Sequence, residues 1–546
     1  MNNLIKFPGK NWICLALCIF TIISAAAIFW IKDNPFAYDG DEGEFIDTAY
    51  QDFHSVKDTS FIHFMRTDYR YRLTAYAPAF RLLALPGTLT FGPSILILRI
   101  SSWICFSLTL LFIFLTVKNL SKDEASGALA VIFLTLCPML IFVSKLLMTE
   151  PSLHLALAMM FYFCFKDWDH PQGRLGGWLG LGIALGLGIL AKLSFILIAL
   201  PVILMMLGIK YAIKTEGLSL SYLFKALLIG VFLAFDWYRN NLNDYVSLLS
   251  QVTTQNIRHS FGIHLGFIEK LKMGFIVFTE SETGPYLWGI TILLMLFILI
   301  RYKSLDKKIK LALVLCFLSM VPTLFAFFGG INNNSRYLSP ILIPLSIAYG
   351  LMGGEVIKRL NLFSKIILAG VMCFQLLVII TPSIRGLHLN SEGSIADSLL
   401  NGNATTVFER EDQWDWDTLR KICNQKHLKN PSIRYLGNGL QLKSYLIKFP
   451  WAKHHEKADV DWRIWQYEQG PINWDKIFKI INNKDVVLTA PKLIGYKPNG
   501  DDLDNRHNAE FVKRLKADPN FEGPIILSIG RFEPEEVDVF LKKKPG

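Results

Sequence analysis

Residues 38 to 47, Tyr-Asp-Gly-Asp-Glu-Gly-Glu-Phe-Ile-Asp, crowd five carboxylates together just past the end of the first long apolar run: Asp39, Asp41, Glu42, Glu44 and Asp47. Acids this close repel one another in a low dielectric unless water or cations compensate, so the stretch is either a wetted surface or a place where charge is used. A carboxylate can take a proton from an attacking hydroxyl, and cations at a membrane surface can hold a lipid phosphate. The other side chains suited to that chemistry are spread along the chain. Glu150 stands in Met148-Thr149-Glu150-Pro151, with His154 one helical turn on and on the same face. Lys192 lies between two apolar runs, Arg239 in Trp237-Tyr238-Arg239-Asn240-Asn241, and Arg336 with Tyr337 after Gly329-Gly330-Ile331-Asn332-Asn333-Asn334-Ser335. Each has a bland reading when taken alone: an acid favoured at a helix N-terminus, a snorkelling lysine, or an interfacial anchor.

The chain that must position them is a membrane chain. Of 546 residues, 52% are hydrophobic, and the apolar residues gather into runs near the length that spans a bilayer. The net charge of +11 would suggest nucleic acid in a soluble protein. Here Lys and Arg sit largely between apolar runs, where they set topology, and a nucleic-acid partner is excluded. Seven of the eight cysteines lie in apolar runs and no CxxC pair occurs, so no disulfide framework is offered.

The first run, about Trp12 to Ile31, is too long and lacks the small-residue site of a cleaved signal, and reads as a retained helix starting in the cytoplasm. A polar stretch over 32–97 follows, holding the acidic cluster and an aromatic and basic segment, Phe64 to Arg81, suited to an interfacial helix. Ten further runs are centred near residues 107, 134, 157, 184, 201, 229, 293, 319, 346 and 372, for about eleven transmembrane helices. Alternating them puts Lys118, Lys166, Lys210, Arg301 to Lys310 and Lys358 to Lys365 inside, as the positive-inside rule requires. The acidic cluster, Glu150, Lys192, Arg239 and Arg336 all then fall outside. Arg336 is a cation on the disfavoured side, which argues for a use. Gly176, Gly180, Ala184 and Gly188 form a stripe for close helix packing.

Two domains are expected: a membrane domain over 1–381, and an extracytoplasmic α/β domain over 382–546, with strands at 433–436, 486–488, 525–528 and 537–541 and helices at 474–481 and 508–516. Trp414-Asp415-Trp416-Asp417 reads as a surface turn into a helix.

These motifs resemble the GT-C glycosyltransferases, and within them the family 39 group of protein O-mannosyltransferases and the lipid A aminoarabinose transferase. Asp41-Glu42 is similar to the Asp-Glu that opens the group's first outer loop, and Leu147-Met148-Thr149-Glu150-Pro151-Ser152-Leu153 to its second acidic motif, with Glu where Asp is frequent. Leu190-Ala191-Lys192-Leu193-Ser194 resembles its Thr-Lys hairpin, Asp236-Trp237-Tyr238-Arg239-Asn240 its Pro-Trp-Tyr-x-x-Asn turn, and Arg336-Tyr337-Leu338-Ser339-Pro340 its Arg-Tyr-x-x-Pro. Asp236 in place of Pro, and about eleven helices against thirteen in the aminoarabinose transferase, are departures.

The resemblance implies a polytopic α-helical membrane enzyme of GT-C type in a bacterial cytoplasmic membrane. It would move a sugar from polyprenyl phosphate to an acceptor hydroxyl on a lipid, glycan or protein, with inversion, at the extracytoplasmic face. Asp41 would be the base, with Glu42 and Glu150 beside it. Lys192, Arg336 and Arg239 would hold the phosphate, and Asp39, Tyr337 and His154 would complete the substrate site. By spacing alone Asp39 serves as well as Asp41. Related lipid-oligosaccharide transferases need a divalent metal, and Asp39, Asp41, Glu150 and His154 could supply ligands. Hard cations normally take more oxygens held closer together, so no cofactor is expected. A lipid-linked glycan polymerase or ligase would share these features. A transporter or flippase would instead need ionisable residues in mid-helix, each costing about 2.5 to 3.5 kcal/mol, and the helix cores are nearly free of them.

Overall fold

The computed structural model describes residues 9–35, 37, 40–67, 69, 77–166, 175–213, 219–253, 267–329, 335–380, 415–436, 444–454, 456–463, 473–489, 503–528 and 536–543. Helix α1 (Gly9–Asp33) leads to three helices of the polar stretch, α2 (Gly40–Asp58), α3 (Phe61–Arg66) and α4 (Ala79–Phe91). Then come α5 (Ile95–Ser121), α6 (Glu124–Thr135), α7 (Pro138–Ser144), α8 (Glu150–Lys166), α9 (Leu175–Ala191) and α10 (Phe195–Ile213). The bundle is completed by α11 (Leu220–Thr253), α12 (Phe267–Val277), α13 (Pro285–Arg301), α14 (Lys307–Gly329), α15 (Leu342–Ile357) and α16 (Leu362–Ile380).

All eleven apolar runs are helical. Among the described residues, seven helices are long and apolar enough to cross a membrane, or eight if α6 and α7 form one broken span. That pair bends by 68°. Cys137 is extended ahead of Pro138, where proline disfavours a helical predecessor. Phe232, Leu299, Ile300, Phe325 and Phe363 are left exposed, as lipid-facing side chains would be. The glycine stripe of α9 packs differently from the expectation. Gly180 and Gly188 receive the rings of Phe163 and Phe195, while the closest backbone approach is on the other face, where Gly182 and Gly186 meet Gly230 of α11.

The acidic stretch is a helix rather than a loop. Asp41 and Glu42 lie in the first turn of α2, where the helix dipole favours acids, and Phe45, Ile46, Ala49, Tyr50 and Phe53 give one buried face at helical spacing. Arg81, placed by sequence among headgroup-facing cations, is buried and paired with Asp52 at 3.0 Å. Arg70, Arg72, Tyr71 and Tyr76 of that segment lie outside the described residues.

The C-terminal part comprises α17 (Asp417–Gln425), β1 (Ser432–Leu436), α18 (Ser444–Lys453), β2 (Asp459–Arg463), α19 (Trp474–Ile481), β3 (Val486–Thr489), α20 (Leu503–Ala517), β4 (Phe521–Ser528) and β5 (Glu536–Lys542). They form an α/β layer on a five-stranded sheet of order β2-β1-β3-β5-β4. β1 runs parallel to β2 and β3, and β5 antiparallel to β3 and β4. Strand β2 was not anticipated; its Asp459, Asp461 and Arg463 obscure the apolar signal, as befits an edge strand. Trp416 is buried in the core rather than at a surface turn.

Helix α2 joins the two parts. Its Phe45, Ile46 and Tyr50 share one buried cluster with Phe80 and Leu147 of the bundle and with Phe449, Trp451 and Ile433 of the sheet layer. Tyr50 meets Phe449 edge-on at 5.7 Å. The chain beyond α16 therefore lies at the same end of the bundle as the chain beyond α1, which requires an even number of crossings after α1.

Candidate active site

Four segments bring four charged side chains together at the α2 end of the bundle. Asp41 comes from the first turn of α2, Glu150 from the first turn of α8, Lys192 from the break between α9 and α10, and Arg336 from a 3₁₀ turn, Ser335–Tyr337. They alternate in sign. The Arg336 guanidinium donates to the Asp41 carboxylate, and its Nε stands 3.9 Å from Glu150 Oε1. The same Glu150 oxygen accepts from Lys192 Nζ at 2.9 Å. Tyr337 lies beneath both cations, its ring centroid 4.4 Å from Lys192 Nζ and 5.5 Å from the Arg336 guanidinium carbon. Glu150 is 2% exposed and Arg336 12%, whereas Lys192 is 20% and Asp41 36% exposed. An accessible acid and a reachable cation thus flank a buried pair. Two positive and two negative charges leave the group formally neutral, and the buried Glu150 holds both cations beside it.

The surrounding bonds hold this geometry. Ser339 Oγ donates to the Arg336 carbonyl at 2.7 Å, and His154 Nε2 lies 2.9 Å from Ser339 Oγ. With the hydroxyl hydrogen committed to the carbonyl, His154 is the donor to Ser339. His154, expected among the substrate groups, is therefore buried behind the turn that carries Arg336 and braces it. Tyr238 donates to the Ile189 carbonyl at 2.9 Å, tying α11 to the end of α9 beside Lys192.

Glu42 points into a second, wholly buried constellation. Arg99 donates to both its oxygens, from Nε at 2.8 Å and from NH2 at 2.7 Å, and the Leu147 backbone N–H donates at 2.9 Å. Arg99 also donates to the Asn34 carbonyl at 2.5 Å and lies over the Trp30 ring, as does Lys145. This clamp fixes the start of α2 against the segment leading into α8, and so sets Asp41 against Glu150. Sequence reading missed Arg99 and Lys145, although both are cations on the disfavoured side of the membrane in the alternation that singled out Arg336.

Arg239 does not mark the end of a helix. No Gly or Pro follows it before Thr253, Leu242, Val246 and Leu249 continue the helical spacing, and α11 runs on with Arg239 exposed on its surface. Close by, burial pushes the Tyr69 hydroxyl up to about 12, opposed by the charge of Arg81 and reinforced by Asp236. Asp39 lies outside the described residues, as do Arg258, His259 and His264. Among the described residues no three His, Cys, Asp or Glu side chains are grouped to hold a metal ion.

Residues 76–237 match the family described as dolichyl-phosphate-mannose-protein mannosyltransferase. ArnT from Cupriavidus metallidurans, bound to undecaprenyl phosphate, is similar over 97% of this chain and 98% of that chain, at 12% identity and a TM-score of 0.56. The chain has the GT-C fold. The apo state of the same ArnT gives 0.54 at 12% identity over the same shares. The archaeal oligosaccharyltransferase AglB from Archaeoglobus fulgidus is similar over 87% of this chain and 69% of that chain, at 13% identity and a TM-score of 0.48. No curated protein matches. The resemblance carried by the motifs is thus borne out, and the chain is a multi-pass membrane protein of this fold. Glu150 and Lys192 lie inside the family match, while Asp41 and Arg336 lie outside it and are joined to them only by the GT-C fold.

Proposed function

We propose that this protein is a glycosyltransferase that moves a sugar from a polyprenyl-phosphate donor to an acceptor hydroxyl, with inversion, at the extracytoplasmic face of a bacterial cytoplasmic membrane. The observation that carries the reading is the Asp41–Arg336–Glu150–Lys192 chain, with its accessible acid at one end and two cations beside it. The family match and the likeness to ArnT, which was solved with undecaprenyl phosphate, support it.

The roles follow from charge. The donor phosphodiester carries one negative charge, and the leaving polyprenyl phosphate gains a second as the bond from the anomeric carbon to the phosphate oxygen breaks. Lys192 and Arg336 hold the phosphate, and their attraction strengthens as that charge develops, which is how a fixed cation lowers a barrier rather than merely binding substrate. A new bond forms between the acceptor oxygen and the anomeric carbon on the opposite face, and the hydroxyl proton passes to Asp41. Arg336 pairs with Asp41; a phosphate that draws the guanidinium towards itself frees the carboxylate to act as base. Glu150 orders the two cations, and Glu42, held by Arg99, positions Asp41. Paired charges gathered at one end of the bundle suit transfer at a membrane face and not a path through it.

Lipid extracted from the purified protein and examined by mass spectrometry tests the reading. Polyprenyl phosphate, or its glycosylated form, should co-purify with the wild type and be depleted from the Lys192→Ala, Arg336→Ala double variant. Phospholipid alone in both preparations would contradict it.

A further inference from the structure

A cavity of about 510 Å³ opens between α2 and α18, at the seam where the membrane bundle meets the sheet layer. Small-molecule sites occupy roughly 300 to 1,000 Å³, so the space suits a ligand of that size. One wall is a stripe of α2, with Asp47, Gln51 and Asp58 at helical spacing; the other holds Lys448 and Glu456, and Trp451, 1% exposed, forms the floor. The stripe begins six residues after Asp41 on the same helix. At about 1.5 Å rise and about 100° per residue, that places its start roughly 9 Å along the axis and about a third of a turn around α2 from the acid.

The lining also indicates the chemistry of the occupant. Carboxylates and lysines occur together, and part of the charge is answered within the wall: Asp47 accepts from Gln51 at 2.8 Å, and Glu456 from Arg420 at 3.1 Å. A site for a strongly charged ligand would present one sign, and a site for an acyl chain would be apolar. Carboxylate and amide acceptors interleaved with ammonium and amide donors match a molecule whose surface is a series of hydroxyls, each able to donate and accept. We propose that this cavity seats the acceptor and that the acceptor is a neutral glycan of more than one sugar ring, whose terminal hydroxyl reaches Asp41 along α2. This deepens the glycosyltransferase reading and rests on it.

The test uses the full-length protein in lipid nanodiscs, with saturation-transfer NMR of lactose, maltose and mannobiose at millimolar concentration. A lysine-rich peptide serves as the charged comparison, and binding of undecaprenyl phosphate is followed on the same samples. Ala452→Trp fills the cavity, and Gln51→Ala removes a polar contact without filling it. At least one disaccharide should bind the wild type, its signal should fall roughly tenfold in both variants, and lipid binding should be unchanged. Failure of every disaccharide to bind, disaccharide binding by both variants as strong as by the wild type, or binding of the peptide alone would overturn the proposal. If undecaprenyl phosphate binds and no sugar does, the acceptor cavity is wrong and the donor reading stands. If the sugar signal behaves as expected and the lipid phosphate does not bind, the donor reading fails and the cavity stands as a glycan site.

Discussion

Arg336 bonds Asp41 across 295 residues of chain while holding its Nε 3.9 Å from Glu150, so one guanidinium is shared between the accessible acid and the buried one. Burial alone would depress the Arg336 pKa, but Glu150, Asp41 and Tyr337 together hold it above the usual value, and it stays charged throughout. In the proposed reading Arg336 and Lys192 are donor-binding groups first. Arg336→Ala and Lys192→Ala should each raise the apparent KM for the lipid donor and also lower turnover, because the phosphate is charged before transfer and more so after it. Steady-state kinetics with a labelled polyprenyl-phosphate sugar checks this; unchanged donor kinetics in both variants would remove them from the site.

The Glu42–Arg99 pair is fully buried, and breaking such a pair leaves a charge without compensation. Arg99→Ala should destabilise the protein by roughly 3 to 5 kcal/mol, read as a large fall in melting temperature in detergent. Replacing both residues together, as Glu42→Gln with Arg99→Met, should recover part of the loss. A double variant no more stable than Arg99→Ala would show that the clamp is not a simple charge pair.

Much of this site was legible in the sequence. Asp41, Glu150, Lys192 and Arg336 could be found because a charged residue at the end of an apolar run violates a strong expectation, and the motif order tied them together and added Tyr337. What spacing alone could not give was which of two adjacent acids faces Arg336. Asp41 and Glu42 differ by about 100° around one helix, and only the folded positions of Arg99 and Arg336 separate a surface carboxylate from a buried one. In the fold, the eleven runs and four of five strands were visible from apolar periodicity; β2, with charges at alternate positions, was not. The seam between α2 and α18 was also hidden, since it joins segments about 400 residues apart that carry no shared pattern.

Glu282 is fully buried, and neither carboxylate oxygen has a hydrogen-bond partner among the described residues. Burial raises its pKa well above 4.5, so the folded protein keeps a proton that the unfolded chain releases. The sign follows: stability is greatest below the unfolded value and declines as pH rises from there towards the folded one, at up to about 1.4 kcal/mol per unit. Glu282→Gln should remove that decline as pH rises above the unfolded value, measured as melting temperature against pH. Parallel profiles for the variant and the wild type would contradict it.

If the α2 end of the bundle faces away from the cytoplasm, a reporter fused after Gly546 that works only in the cytoplasm should stay silent, because the sheet layer shares a core with α2. Strong reporting would place the site on the wrong face for an extracytoplasmic transferase.

The central claim is that Asp41 takes the acceptor proton. Asp41→Asn keeps the shape of the side chain and its place in the first turn of α2 but cannot accept that proton. General-base catalysis is typically worth about 10² to 10⁴-fold in rate. Transfer of labelled sugar by purified Asp41→Asn protein, compared with wild type at equal folded amounts, should therefore fall by roughly that factor while polyprenyl-phosphate binding is retained; transfer at a near-normal rate would contradict the account.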